Sequence, residues 1–313
     1  MTATETILEM PATFASELAA RVSPATVIRR DELLAKHTTL RVGGPADFYV
    51  EPAGENDLGA ILKLCGERGM KFFILGRGSN LLVRDGGFRG VAICLSQPGF
   101  NKIEIVGDQL HCGASAKLKN VAVEARRNGL NGLEFLEGIP GSVGGALRMN
   151  AGAMGGATFD AVESVRVMDF DGNICEMPPG EMAVAYRSCG ALKNHVALGA
   201  VFRCRKDSPE SIAQRMSAFS QKRWASQPAA PSAGCIFKNP ETIPAGKLVD
   251  ELGLKGTRVG GAVVSAEHGN FIVNDGSATA RDVLELISIL QAKAKAERGI
   301  DLQTEVEIIG EEI

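Results

Sequence analysis

Gly76-Arg77-Gly78-Ser79-Asn80 stands between two apolar runs that are too short for helices. Lys71-Phe72-Phe73-Ile74-Leu75 precedes it; Leu81-Leu82-Val83 follows it, before Asp85-Gly86-Gly87 turns the chain. The pattern predicts strand, glycine loop, strand. A dinucleotide-binding Rossmann loop needs a helix directly after its glycines and a third glycine for close helix packing. Position 81 is Leu and no helical pattern follows, which excludes that fold. Two readings of the loop alone stay open: a hairpin turn, or backbone N–H groups turned inward as an anion-binding nest.

A second loop favours the nest. Gly138-Ile139-Pro140-Gly141-Ser142-Val143-Gly144-Gly145-Ala146 is followed by Asn150-Ala151-Gly152-Ala153-Met154-Gly155-Gly156. Seven glycines between 138 and 156 leave almost no side-chain bulk, as suits a large flat ligand lying against backbone. Ile139, Val143, Leu147 and Met149 make this a packed segment, because flexible linkers are polar as well as glycine-rich. Two such loops, far apart in sequence, suggest one long phosphate-bearing cofactor clamped at two places.

The 313 residues suffice for two or three domains and a sizeable core. A net charge of −3 without a basic run argues against nucleic-acid binding, so an anionic ligand must be met by a few local Arg and Lys. Residues 1–20 lack a basic start before an apolar core, so no secretory signal is read there. No apolar stretch reaches membrane-spanning length. Seven cysteines, odd in number and never two apart, argue against a disulfide scaffold or zinc site and for a reducing cytoplasm. Four scattered histidines give metal catalysis no support.

Along the chain, residues 1–30 read as a loosely docked extension, with Ile7, Leu8, Phe14 and Leu18 at helical spacing. Helices are expected near 56–68, 116–128, 209–224 and 280–298, the last with Thr279 as N-cap and Asp282 completing a capping box. Strands are expected at Val91–Leu95, Lys102–Val106, Gln109–Cys112, Val162–Asp169, Asn173–Met177, Val196–Cys204, Ala262–Val264, Phe271–Val273 and Leu302–Ile309. A boundary falls near 206, giving 31–205 as one domain, in two subdomains split near 95–100, and 206–313 as a second.

Five motifs in one order carry a resemblance: Leu40-Arg41-Val42-Gly43-Gly44-Pro45-Ala46-Asp47, Gly76–Leu81, Gly138–Gly145, Tyr186-Arg187-Ser188 and Ser232-Ala233-Gly234-Cys235-Ile236-Phe237-Lys238-Asn239-Pro240. From about residue 38 to its end the chain resembles the UDP-N-acetylenolpyruvoylglucosamine reductase family. These flavoenzymes complete UDP-N-acetylmuramate synthesis for bacterial peptidoglycan. The resemblance implies an α+β architecture: a two-subdomain FAD-binding unit of the vanillyl-alcohol-oxidase / p-cresol-methylhydroxylase type plus a smaller α+β C-terminal substrate domain. It implies a cytoplasmic, monomeric enzyme that takes hydride from NADPH onto non-covalent FAD and delivers it to the enolpyruvyl ether of a UDP-sugar.

Hydride addition there builds enolate-like charge toward a carboxylate, which calls for a cation, a second polar group and an acid. The resemblance assigns these roles to Arg187, Glu305 and Cys235. Read alone, Arg187 and Glu305 would be surface charges and Cys235 a small buried hydrophobe. By the same resemblance Arg41, Gly76, Arg77, Gly78, Ser79, Asn80, Leu81, Gly141, Ser142, Gly144, Gly145 and Gly152 contact the cofactor. Tyr186, Arg223, Lys238 and Asn239 contact the substrate. Met154 stands where the family often has an aromatic, and the chain resembles the shorter class without a substrate-covering insertion. Two alternatives are a flavin oxidase of the same fold acting on a sugar or hydroxy acid, and a silent flavin or nucleotide-sugar binder. Neither needs Arg187 together with Cys235.

Overall fold

In the computed structural model, residues 13–313 are described. They form two compact units, each discontinuous in sequence: residues up to 31 with 47–76 and 90–220, and residues 32–46 with 77–89 and 221–313. The segments 32–46 and 77–89, both within the expected 31–205 domain, thus pack with the C-terminal part of the chain.

The first unit holds two larger sheets. A four-stranded sheet runs in the order Val27–Leu33, Pro45–Glu51, Phe88–Cys94, Phe72–Leu75, the last pair parallel. The helix Glu55–Arg68 buries Leu58, Ile61, Leu62 and Cys65, the face its spacing predicts, and ends at Gly69 in the left-handed conformation. Phe14 and Leu18, on a helix over 13–21, are buried in the same core, and the Phe14 ring centroid lies 5.1 Å from that of Phe48. This part of the N-terminal extension is therefore docked rather than loose; Ile7 and Leu8 lie outside the described residues.

The second sheet of this unit has five antiparallel strands, in the order Ile174–Met177, Val162–Asp169, His195–Arg203, Gln109–Gly113, Ile103–Val106. Over it pack the helix Leu118–Arg127, through Leu118, Val121, Ala122 and Ala125, and the helix Val143–Arg148, through Val143, Ala146 and Leu147. Sequence reading found the first of these helices but not the second. Gly144 and Gly145 are poor helix formers, and they hide its i, i+3, i+4 apolar spacing.

In the second unit a four-stranded antiparallel sheet runs Ser232–Cys235, Phe271–Asn274, Ala262–Val264, Arg258–Val259. Leu248, Val249, Val283, Leu286, Ile287 and Leu290 pack against it from the helices Ala245–Glu251 and Ala280–Arg298. The longer helix has the expected capping box: the Thr279 hydroxyl accepts the Asp282 N–H at 3.1 Å, and the Asp282 carboxylate accepts that of Thr279 at 2.9 Å. The Asp85 carboxylate adds two bonds, from the N–H groups of Ala280 and Arg281, each 2.9 Å. Leu81–Val83 pairs in parallel with Glu307–Ile309.

The expected strand Leu302–Ile309 is thus shortened to its last three residues. Its earlier part bonds elsewhere, with the Lys238 N–H on the Gln303 carbonyl at 2.9 Å and the Glu305 N–H on the Ile236 carbonyl at 2.7 Å. The alternation still holds where it matters, since Leu302 and Val306 are both buried.

Candidate active site

Strand, loop, strand is what the chain forms around Gly76–Asn80, and the loop is not a hairpin turn: Phe72–Leu75 pairs with Phe88–Cys94, and Leu81–Val83 with Glu307–Ile309. Within the first unit the two glycine loops meet. A Cβ on Gly76 would stand 3.3 Å from the Oγ of buried Ser142, and one on Gly144 would stand 3.2 Å from the Ala114 Cβ. The Gly144 N–H already donates to the Ala114 carbonyl at 2.7 Å, so backbone is packed on backbone here.

Tyr186-Arg187 is the two-residue turn of a small hairpin, with Val184 opposite Cys189 and Ala185 opposite Ser188. Arg187 has a φ of 54°, a region that costs an L-residue about 1–2 kcal/mol. Such strain persists only where the surroundings fix it, and it clusters at functional sites. The Arg187 guanidinium lies 4.8 Å over the half-exposed Tyr186 ring. Its Nη1 is 3.5 Å, an ordinary contact distance, from where a Cβ on Gly152 would stand, and that Cβ would come within 2.7 Å of the Gly156 carbonyl, so glycine is required at 152. Asn150 braces the hairpin, donating to the Ala185 carbonyl at 3.4 Å and accepting the Phe159 N–H at 3.2 Å. Beside it, Met154 (φ 54°) and Gly155 (φ 88°) turn the chain between Gly152–Ala153 and Gly156–Ala157. Met154 therefore occupies a left-handed turn position where asparagine or glycine is usual.

In the second unit four sequence-distant segments converge. Thr39 donates its N–H to the Gly78 carbonyl at 3.1 Å and its hydroxyl to the Ser232 carbonyl at 2.6 Å. Gly78 has a φ of 59°, and a Cβ there would come within 2.3 Å of the His37 carbonyl, so only glycine fits. The Asn80 side chain donates to the Glu305 carbonyl at 3.0 Å. Glu305 is in turn bonded to Ile236, the residue after Cys235. Gly234 (φ 75°) and a register shift between Ser232 and Cys235 form a bulge that re-aims the half-buried Cys235. Arg41, also left-handed at φ 59°, donates its N–H to the Thr38 hydroxyl at 3.1 Å.

Arg41, Gly78, Ser79, Asn80, Cys235 and Glu305 are thereby gathered in one unit, while Gly76, Ser142, Gly152, Tyr186 and Arg187 belong to the other. Among the substrate candidates, Lys238 is half-buried beside Gln303, and the Asn239 side chain accepts the Ala245 N–H at 3.0 Å, where it caps the following helix. Arg223 lies half-buried at the end of the helix Pro209–Trp224.

The thiols divide by burial. Cys65, Cys112 and Cys204 are buried, and burial pushes each up to about 12, which leaves them protonated core residues. Cys235 is less buried than these three. Among the described residues no cluster of His, Cys, Asp or Glu could hold a metal ion, and no helix is long and apolar enough to cross a membrane. The glycine-lined approach of Gly76 to Ser142, free of bulky side chains, fits a flat phosphate-bearing cofactor. Sequence reading missed the bracing roles of Thr39, Asn150 and the Asn80 side chain, which no periodicity marks.

Residues 46–178 match the family described as FAD binding domain, and residues 227–309 match UDP-N-acetylenolpyruvoylglucosamine reductase, C-terminal domain. The UDP-N-acetylenolpyruvoylglucosamine reductase of Geobacter metallireducens is 45% identical over 286 residues, 91% of this chain and 95% of that one. That of Clostridium novyi is 42% identical over 91% of this chain and 93% of its own. The crystal structure of UDP-N-acetylenolpyruvylglucosamine reductase from Thermus caldophilus superposes with a TM-score of 0.81 at 39% identity, covering 91% of this chain and 100% of that one. A variant of Phl p 4, a glucose oxidase, shares the fold alone, with a TM-score of 0.50 at 11% identity over 92% of this chain and 63% of its own. The expected α+β flavoprotein fold is therefore present, and the chain belongs to the UDP-N-acetylenolpyruvoylglucosamine reductase family.

Proposed function

We propose that this chain reduces UDP-N-acetylglucosamine enolpyruvate to UDP-N-acetylmuramate for peptidoglycan precursor synthesis, with Cys235, Glu305 and Arg187 as its catalytic side chains. It is an FAD-dependent oxidoreductase with NADPH as hydride donor, as its family membership supports. Bound FAD supplies the hydride chemistry, from NADPH to the terminal carbon of the enolpyruvyl double bond. Non-covalent cofactor is held by Arg41, Gly76, Arg77, Gly78, Ser79, Asn80 and Leu81, and by Gly141, Ser142, Gly144, Gly145 and Gly152.

The chain's own residues then handle charge and proton. The planar Arg187 guanidinium meets the substrate carboxylate bidentately, where negative charge builds. Glu305 is the second polar group. Cys235 holds a proton on Sγ and delivers it to the carbon that bears the carboxylate. Tyr186, Arg223, Lys238 and Asn239 contact the UDP-sugar, with Asn239 doing so while it caps its helix. The residues from 206 onward supply most of these substrate contacts and 31–205 most of the flavin contacts. A cytoplasmic monomer completes the reading.

One observation carries it: the bond of the Glu305 N–H to the Ile236 carbonyl, 2.7 Å, which joins the backbone of the proposed glutamate to the residue after the proposed acid. The test follows NADPH oxidation by the FAD-loaded protein with and without the enolpyruvyl UDP-sugar. Substrate-dependent oxidation with one UDP-N-acetylmuramate formed per NADPH is expected. Oxidation that ignores the UDP-sugar and consumes oxygen instead would overturn the reading in favour of an oxidase.

A further inference from the structure

The ladder that positions Cys235 stops at Cys235 itself, which lies opposite Phe271. Beyond it the backbone must leave the sheet to reach residues 303–305. There the Ile236 carbonyl and the Lys238 N–H bond to Glu305 and Gln303 in a single antiparallel bridge of Phe237 with Thr304, which leaves the Phe237 N–H and carbonyl to find a partner on the other side. One buried side chain, Asn270, takes over. Its Oδ1 accepts the Phe237 N–H at 2.8 Å and its Nδ2 donates to the Phe237 carbonyl at 2.8 Å, while its own carbonyl accepts the Ile236 N–H at 2.8 Å. Donor and acceptor on the same partner residue imitate a cross-strand pair. Among side chains of this length only asparagine offers both; aspartate lacks the donor and leucine lacks both groups.

The clamp is itself held rigid. The Asn270 N–H donates to His268 Nδ1 at 3.1 Å, and the His268 and Phe271 ring centroids are 4.9 Å apart. At Gly269, next in the same turn, a Cβ would come within 2.5 Å of the Gly246 carbonyl, so the turn is pressed onto the helix Ala245–Glu251. The residues that Asn270 fixes are the two after Cys235, and the Ile236 carbonyl is the group that receives Glu305.

We infer that Asn270 is a positioning residue for the Cys235 thiol, holding Ile236 and Phe237 so that Cys235 and Glu305 keep their places. The inference rests on the proposed role of Cys235 as proton donor. It separates from a merely structural role, because a side chain that acts through Cys235 affects only the half-reaction that uses the thiol's proton.

The experiment measures both half-reactions of the FAD-loaded holoenzyme by stopped-flow absorbance: reduction by NADPH, and reoxidation by the enolpyruvyl UDP-sugar. The proteins are wild type, Asn270→Asp, Cys235→Ala, the double variant, and Val264→Ala as a destabilised control from the buried core of the same sheet. Asn270→Asp keeps the acceptor and loses the donor; Asn270→Ser replaces it if it does not fold. We expect reduction near the wild-type rate and reoxidation slowed about ten- to a hundredfold, as for a small misplacement of a reacting group. The double variant should be no slower than Cys235→Ala, since the two act as one. Wild-type reoxidation in the Asn270 variants beside a slow Cys235→Ala overturns the inference alone. Equal slowing of both half-reactions, or the same slowing in Val264→Ala, also overturns it by reducing Asn270 to a stability role. Normal reoxidation in Cys235→Ala overturns the donor assignment and this inference with it.

Discussion

The side-chain amide of Asn80 donates to the backbone carbonyl of Glu305, and the Asn80 carbonyl accepts the Glu307 N–H, both at 3.0 Å. One residue of the first glycine loop thus holds a C-terminal segment 225 positions away, at the start of the parallel register that sets Leu81 against Glu307. Asn80→Ala removes the donor and leaves the Glu305 carbonyl without it. A cost of about 1 kcal/mol is expected, read as a lower thermal midpoint, together with reduced turnover. Unchanged turnover in a variant of lowered stability would show that the tie only supports the fold.

Gly78 gives a sharper test of the loop. At a φ of 59°, with the His37 carbonyl 2.3 Å from any Cβ, Gly78→Ala must shift backbone. The flavin carried through purification should fall. Gly99→Ala, where a Cβ meets nothing within 4 Å, should leave it unchanged. The ratio of flavin absorbance to protein absorbance at 280 nm reads both. Full flavin content in Gly78→Ala would remove the loop from the cofactor site.

His268 makes stability pH-dependent. Burial, with nearby Lys255 adding to it, holds its imidazole below the ordinary value of 6.5, and its Nδ1 must stay unprotonated to accept the Asn270 N–H. As pH falls through about 6.5 the unfolded chain binds a proton that the folded one refuses. The contribution is therefore complete above that pH and is lost as pH falls below it. Denaturant midpoints between pH 7.5 and 5.5 should drop more steeply for wild type than for His268→Gln. Parallel profiles would show that His268 is not the group responsible.

Much of the fold was legible because periodicity is local. The helices Glu55–Arg68 and Ala280–Arg298 start and stop where apolar spacing, Gly69, Thr279 and Gly299 place their ends. What stayed hidden was long-range or ran against propensity. Nothing near Asp85 announces that it caps a helix beginning at Ala280, and no composition shift at 32–46 or 77–89 marks them as companions of the C-terminal segment. The candidate site residues were legible as motif members, yet not the backbone geometry in which they stand. Arg41, Met154 and Arg187 all sit at positive φ, where sequence rules would put glycine or asparagine. Asn270 carries no signal at all, since a lone asparagine after Gly269 reads as a turn.

Arg187 turns that last point into a prediction, because its backbone and its side chain make opposite demands. A glycine at the second turn position would relax the φ of 54°, whereas in the proposed reaction the guanidinium serves only where carboxylate charge develops. Arg187→Ala and Arg187→Gly both lose the stacking on Tyr186, so their comparison isolates the backbone. Arg187→Gly should be the more stable of the two by about 1 kcal/mol, seen as a higher denaturant midpoint. Both variants should accept hydride from NADPH at near the wild-type rate and lose turnover by about a hundred- to a thousandfold. Turnover reduced less than tenfold in either folded variant would place the carboxylate-binding cation elsewhere. Equal stability of the two would mean that the Arg187 side chain, rather than the hairpin, holds the unusual backbone, which relaxes once that side chain is lost.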